Sequence, residues 1–293
     1  MARRVSDLLG QRAAESFVGG RHELATLLEC LHDKGPLVVQ VHGLAGVGKT
    51  TLLDAFSAQA RTQGAVVVRL DSGTIEPTER GLLYELGVAI GSQNQRLMAD
   101  EAAERLGSLG DRVVLVLDTY ELLRFLDSWL RQVFIPKLGD NVRVILSGRH
   151  PPIPAWLVAQ EWQGLFRSVD LGPLAEDEAL ELLAGAGVSG GEAKRINRFV
   201  RGHPLALRLA ASAVAERPGL VLEGAAFQGI FQRLTSLYLA DVNDAITRQG
   251  LEAASVVRRA TQSLLGAMLP NAAPQDVYDR LLSLPFVESG RTG

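Results

Sequence analysis

The chain has 293 residues, of which 47% are hydrophobic and 22% charged, with a formal net charge of -3 and one cysteine, Cys30. This length allows two domains, or one large domain with helical additions, and the composition is that of an ordinary soluble globular protein. The charge gives no electrostatic footprint for nucleic acid, a single cysteine excludes an internal disulfide or a cysteine-based zinc site, and no apolar segment has the length of a membrane span or a secretion signal, so a cytoplasmic location is expected.

In chain order, the first feature is a helical apolar stripe of Leu24, Leu27, Leu28 and Leu31, beside which Cys30 is expected as a small core residue. An apolar run from Leu37 to Val41 then enters a loop with the spacing G-x-x-x-x-G-K-T, Gly43 to Thr50. Glycines at such spacing let the backbone curl until several N–H groups point at one anion, and a helix beginning near Lys49 adds its positive end. The residues expected around a phosphate chain are Gly43, Gly46, Val47, Gly48, Lys49, Thr50 and Thr51. Lys49 is expected to reach the β- and γ-phosphates, Thr50 to offer its hydroxyl to Mg²⁺, and Thr51 to help hold the α-phosphate. Leu52, Leu53 and Phe56 follow at helical spacing, which is the context this motif needs. A glycine turn with no ligand is the alternative.

Further strand-length apolar runs occur at Ala65 to Leu70, Val113 to Leu117, Val142 to Leu146 and Phe166 to Leu171, separated by helix-like segments. Such alternation predicts an α/β fold with a parallel sheet and helices on both faces, and it places ligands beyond the carboxyl ends of the strands. The third run ends in Asp118, whose hard carboxylate is expected to hold Mg²⁺ together with Thr50, with a helix cap as the alternative. Thr119 occupies the place where many phosphate-loop ATPases carry a glutamate, so Glu121 is the nearest candidate to orient water; it is equally readable as a first-turn residue favouring a helix dipole. The fourth run ends in Ser147, Gly148 and Arg149. The Arg149 guanidinium is expected to reach a γ-phosphate, with a surface ion pair as the alternative.

Beyond the fifth run, "LGPLAEDEALELLAGAG" and "EAKRINRFVRGHPLALRLAASAVAE" read as helices with glycine-rich joints, whose apolar faces are Leu180 and Leu183, then Ile196, Phe199 and Val200. Pro204 starts a helix after a glycine hinge, and His203 beside it reads as a solvent-facing cap residue or, as the second choice, a ligand contact. From Gly250 onward, three helices and a strand are expected, the strand being "FVES".

The ordered elements "SFVGGRHELATLLECL", "GLAGVGKTT", "VLVLDTYE", "VILSGR" and "RGHPLALRLAA" resemble those of the STAND class of signal-transduction NTPases. The first element has one glycine more, before Arg21, than the family's F-V-G-R-x-x-E-L. The resemblance implies a five-stranded parallel P-loop NTPase sheet of the ASCE type, order 5-1-4-3-2, in residues 1–172, a helical lid and linker in 173–249, and a partial winged-helix domain in 250–293. It further implies that the Val18 main chain contacts adenine, with Arg21 nearby, and that Pro204 packs on the base or sugar. The absence of a guanine-reading N-K-x-D element also favours adenine. The expected ligands are therefore ATP or ADP with Mg²⁺, and the expected catalytic set is Asp118, Glu121 and Arg149.

The leading expectation is a nucleotide-controlled switch with slow ATP hydrolysis, nucleotide-dependent self-association, and sensor and effector domains outside a chain that reads as a fragment. A small-molecule phosphotransferase is the second reading. The prolines and tryptophans of "HPPIPAWLVAQEWQGLF" look more like packing than acceptor chemistry. DNA binding through the winged helix, where Arg258 and Arg259 are the adjacent basic pair, is the third, and nucleic acid is expected to be an improbable partner because the chain is acidic overall.

Overall fold

The computed structural model describes residues 18–92, 97–216, 244–257 and 260–282. Five strands, β1 (Val38–His42), β2 (Val66–Asp71), β3 (Val113–Asp118), β4 (Val142–Gly148) and β5 (Phe166–Asp170), pair in parallel in the order β2-β3-β4-β1-β5. This is the expected order, counted from the other edge.

Alternate residues of each strand serve opposite faces, and both faces are buried. In β3, Val113, Leu115 and Leu117 join one apolar cluster while Val114 and Val116 join the other, which is why the strand reads as an unbroken apolar run. One face is covered by α1 (Arg21–Leu28) and α2 (Lys49–Thr62), through Leu24, Leu27, Leu52, Leu53 and Phe56. The other is covered by α3 (Glu79–Ala89), α4 (Ala99–Gly107) and helical turns between Tyr120 and Lys137, through Leu82, Leu86, Leu106, Leu123 and Phe134. Cys30 is fully buried on the α1 side, as expected, and burial pushes its thiol up to about 12.

The segment after β4 is structural. α5 (Pro154–Val158) buries Trp156 against Trp162 and Phe166, with ring centroids 4.8 and 4.9 Å away. Buried Asp127 accepts hydrogen bonds from the Trp156 Nε1–H (2.9 Å) and the Tyr120 hydroxyl (2.7 Å). Packing rather than acceptor chemistry thus accounts for these aromatic residues.

The chain divides into compact units Met1–Leu207 and Arg208–Gly293. In the first, β5 is followed by α6 (Glu176–Gly185) and α7 (Gly190–Val200), and α8 (Pro204–Glu216) starts before the division. Leu183 and Ile196 are buried as expected, Leu180 and Val200 are half-buried, and Ala179, Leu182, Val188 and Ala193 complete the apolar set. Phe199 departs from the expectation and remains 44% exposed. Ala193, Ile196 and Val200 define the stripe of α7, and Phe199 stands about 100° round the helix from Val200.

In the second unit, α9 (Ala245–Ser255), α10 (Gln262–Met268) and α11 (Pro274–Leu282) share a core of Ala253, Leu265, Val277 and Leu281. The boundary expected at residue 250 falls inside α9, because Asp244 caps that helix by accepting from the Thr247 N–H at 2.8 Å. Gly250 is needed there for close packing: an added Cβ would stand 2.7 Å from Val277. The expected "FVES" strand and the pair Arg258–Arg259 lie outside the described residues. Among the described residues, no helix is long and apolar enough to cross a membrane.

Candidate phosphate-binding site

The carboxyl ends of the strands form a level edge: His42 is in register with Gly148 and Asp170, and Asp71 with Asp118. From this edge the chain leaves β1 through Gly43 and enters α2 at Lys49. Gly46 and Gly48 have φ of 75° and 107°, a left-handed region that side chains rarely occupy. A Cβ on Gly46 would also stand 2.8 Å from Leu205, whereas one on Gly48 would meet nothing within 4 Å. The open side at Gly48 leaves room for an anion at the positive end of α2.

Lys49 lies over the loop, its Nζ donating to the carbonyls of Gly43 (2.7 Å) and Leu44 (2.9 Å). Burial pushes its pKa down to about 8; Glu121 and Asp118 oppose that shift and Arg149 adds to it. A partly desolvated ammonium in this position gains strongly from a phosphate oxygen. Val47 is 3% exposed and packs in the apolar cluster beneath the loop, so only its main chain faces the loop's concavity. Thr51 is half-buried in the first turn of α2.

The Thr50 hydroxyl lies 3.5 Å from Asp118 Oδ2. A hydroxyl and a carboxylate are hard oxygen donors that suit Mg²⁺, whose remaining ligands would be water and phosphate. The other Asp118 oxygen accepts from the Thr119 N–H at 3.0 Å, an adjacent turn contact and not a helix cap. Thr119 itself adopts φ 57°, and its hydroxyl donates to Asp71 Oδ1 at 3.1 Å. Left-handed backbone at a β-branched residue costs about 1 kcal/mol or more, so this turn is strained directly after the metal-type carboxylate.

Glu121 and Arg149 meet each other. The carboxylate lies 3.2 Å from Arg149 Nε and accepts the Arg149 backbone N–H at 3.2 Å. Gly148 lies beneath this contact, where an added Cβ would stand 2.9 Å from Glu121 Oε2 and displace that carboxylate oxygen. The ion-pair alternative for Arg149 and the nearness of Glu121 to the phosphate loop are therefore two aspects of one contact.

The turn before α8 closes on the loop from above. Leu205 donates its N–H to the Gly46 carbonyl at 3.3 Å, and His203 Nε2 lies 3.1 Å from the Ala45 carbonyl. The Ala206 N–H donates to His203 Nδ1 at 3.3 Å, which assigns the ring proton to Nε2. Burial lowers the His203 pKa, which favours the neutral ring that its accepting Nδ1 implies. The expected cap role of His203 is present, but the residue is only 7% exposed; it does not face solvent, because its other nitrogen is engaged by the phosphate loop. Pro204 is buried at the first position of α8. Val18 precedes a tight Gly19–Gly20 turn packed on Leu174 and Glu178, and the exposed Arg21 side chain lies 3.5 Å from Glu181. The contacts of this opening segment thus run to α6 and the residues before it.

One residue of the site escapes motif reading. Arg69, in β2, donates to Asp118 Oδ2 at 2.6 Å and to Asp54 Oδ1 at 2.5 Å. Burial opposes its charge, but hydrogen bonds and ion pairs to Asp118 and Asp54 prevail and raise its pKa above the ordinary arginine value. A charged residue interrupting the apolar run "VVVRLD" is the sequence signal for such a contact.

Residues 32–157 match the model of a family described as AAA domain. No curated protein sequence matches the chain. Among solved structures, the ORC2 protein of Aeropyrum pernix, in ADPNP-ADP complexes, superposes with a TM-score of 0.57 at 15% identity, covering 96% of this chain and 91% of that one. Cdc6p from Pyrobaculum aerophilum gives 0.53 at 14% identity, over 94% of this chain and 89% of that one. The Aeropyrum pernix ORC1 protein, in complex with DNA, gives 0.52 at 15% identity, over 92% and 84%. The five-stranded parallel sheet with its surrounding helices is the AAA+ P-loop NTPase fold.

Proposed function

We propose that the chain is an adenine-nucleotide-controlled switch of the STAND type, in which the γ-phosphate is sensed more than it is spent. The observation that carries this reading is the Glu121–Arg149 pair beside Lys49. In this reading the loop residues Gly43, Gly46, Val47 and Gly48 cradle the phosphates with their main chain, Lys49 neutralises the β- and γ-phosphates, and Thr51 holds the α-phosphate. Mg²⁺ held by Thr50 and Asp118 would offset phosphate charge. Arg149 exchanges Glu121 for the γ-phosphate when ATP binds, and returns to Glu121 with ADP. Adenine rests against the Val18 main chain, near Arg21, and against Pro204.

Slow turnover follows from the same geometry. Thr119 stands where a water-orienting carboxylate is needed, and its hydroxyl is committed to Asp71. Glu121, the remaining candidate, is held in place by Arg149 and loses that positioning contact once Arg149 turns to the γ-phosphate. Residues 173–249 act in this reading as the lid and 250–293 as part of a winged-helix domain. The contacts of His203 and Leu205 with Ala45 and Gly46 support a lid whose first turn reports on the loop.

The neighbouring ORC2 structure holds ADPNP and ADP, which supports adenine nucleotides here. The ORC1 neighbour is a complex with DNA, so the expectation against nucleic acid drawn from net charge has no support from the comparisons. The test is to identify the nucleotide that copurifies, then to measure particle mass and duplex binding with ADP and with a non-hydrolysable ATP analogue. Bound ADP, turnover far below about 1 s⁻¹ and a mass that differs between the two nucleotides are expected. Equal behaviour with both, or rapid turnover by a protein purified empty, would remove the basis for a switch.

A further inference from the structure

The Arg69 guanidinium joins two carboxylates from different elements. Asp54 lies on α2 one helical turn after Thr50, and Asp118 ends β3. Arg69 is level with Val116 in the sheet, and both its partners are half-buried or better, with side-chain exposures of 25% and 13%. Asp54 accepts one of the guanidinium's bonds. The second bond falls on Asp118 Oδ2, the same oxygen that faces the Thr50 hydroxyl. A cation bound between Thr50 and Asp118 must share that oxygen with a guanidinium that is already there.

We infer that Arg69 is an internal counter-ion that competes with Mg²⁺ for Asp118 and so sets how far nucleotide binding depends on Mg²⁺. This rests on the nucleotide-site reading above. Three charges take part: Arg69 is positive, Asp54 and Asp118 are negative, and the cluster carries one net negative charge. A positive charge beside a carboxylate weakens its hold on a dication, and a second carboxylate gives the arginine a resting place when Asp118 turns to the metal. The arrangement keeps one positive charge on Asp118 when Mg²⁺ leaves, so ADP is retained without the metal more readily than in a site whose aspartate has no such partner.

The experiment measures the affinity of a fluorescent ADP analogue for the full chain with EDTA, and then Mg²⁺ affinity in the ADP complex. Arg69→Met is expected to bind Mg²⁺ about tenfold more tightly, Arg69→Lys to stay within about threefold of the parent, and Arg69→Met with Asp54→Asn to return toward the parent value. Tighter metal binding is not an effect that structural damage produces. Unchanged or weaker Mg²⁺ affinity in Arg69→Met would overturn the inference. Should that variant fail to fold, Arg69→Gln, which removes the charge but keeps a hydrogen-bond donor, decides: tighter Mg²⁺ binding supports the competition and unchanged or weaker binding overturns it. A parent chain that binds no ADP under either condition overturns the site reading as well; ADP binding whose Mg²⁺ response ignores Arg69 overturns the inference alone.

Discussion

The ends of β3 and β4 each carry an arginine–carboxylate pair close to Lys49, and the two are built differently. At β3, Arg69 spans Asp54 and Asp118, so it can release one carboxylate and keep the other. At β4, Glu121 holds Arg149 by its guanidinium and its backbone N–H together, so a shift of either residue disturbs both contacts. The first pair suits graded competition with a cation, the second a change between two states. A motif reader sees carboxylates and an arginine at strand ends in both cases, but the number and origin of the partners separate metal tuning from phosphate sensing.

The largest test removes what both pairs depend on. Lys49→Ala is expected to lower adenine-nucleotide affinity about a hundredfold or more by calorimetry, with or without Mg²⁺. Next, the pairs are separated. Asp118→Asn should remove most of the Mg²⁺ enhancement of nucleotide binding, a loss of about tenfold or more, while affinity in EDTA changes little. Glu121→Gln should leave the Mg²⁺ response intact but favour an ATP analogue over ADP by about three- to tenfold, because Arg149 loses its charged competitor. A fall in turnover of about 10²-fold or more in Glu121→Gln would instead identify a general base and break the comparison.

A smaller effect comes from pH. Lys49 has its pKa lowered to about 8 by burial, and a bound phosphate raises it again. Above pH 8 binding must therefore take up a proton. Affinity should be flat below pH 8 and fall by up to about tenfold per unit above it, with Lys49→Arg abolishing the slope. The smallest expected change is in Thr119→Gly, which relieves the left-handed backbone but loses the bond to Asp71; thermal unfolding should place it within about 1 kcal/mol of the parent.

Much of this was legible in the sequence because it depends on short-range rules. The phosphate loop is a contiguous run, and five apolar runs feeding a parallel sheet leave few arrangements. Asp118 was legible because it ends such a run. The pairing of Arg69 was not, since the charge in its apolar run signals only that some contact is made, and Asp54 and Asp118, 15 and 49 residues away, are brought to it by the folded sheet. The burial of His203 depends on a contact with Ala45 across 158 residues, which no local pattern encodes. Phe199 misled because an aromatic residue next to Val200 reads as core until the helix phase is known, and the start of α9 was hidden in Asp244, a cap upstream of the visible apolar periodicity.

The most direct test of phosphate sensing is hydrogen exchange at the Arg149 amide, which donates to Glu121. The two complexes to compare are those with ADP and with a non-hydrolysable ATP analogue. The account predicts slow exchange with ADP and clearly faster exchange with the analogue, as Arg149 turns to the γ-phosphate and Glu121 lets go. Equal protection in the two complexes would contradict it.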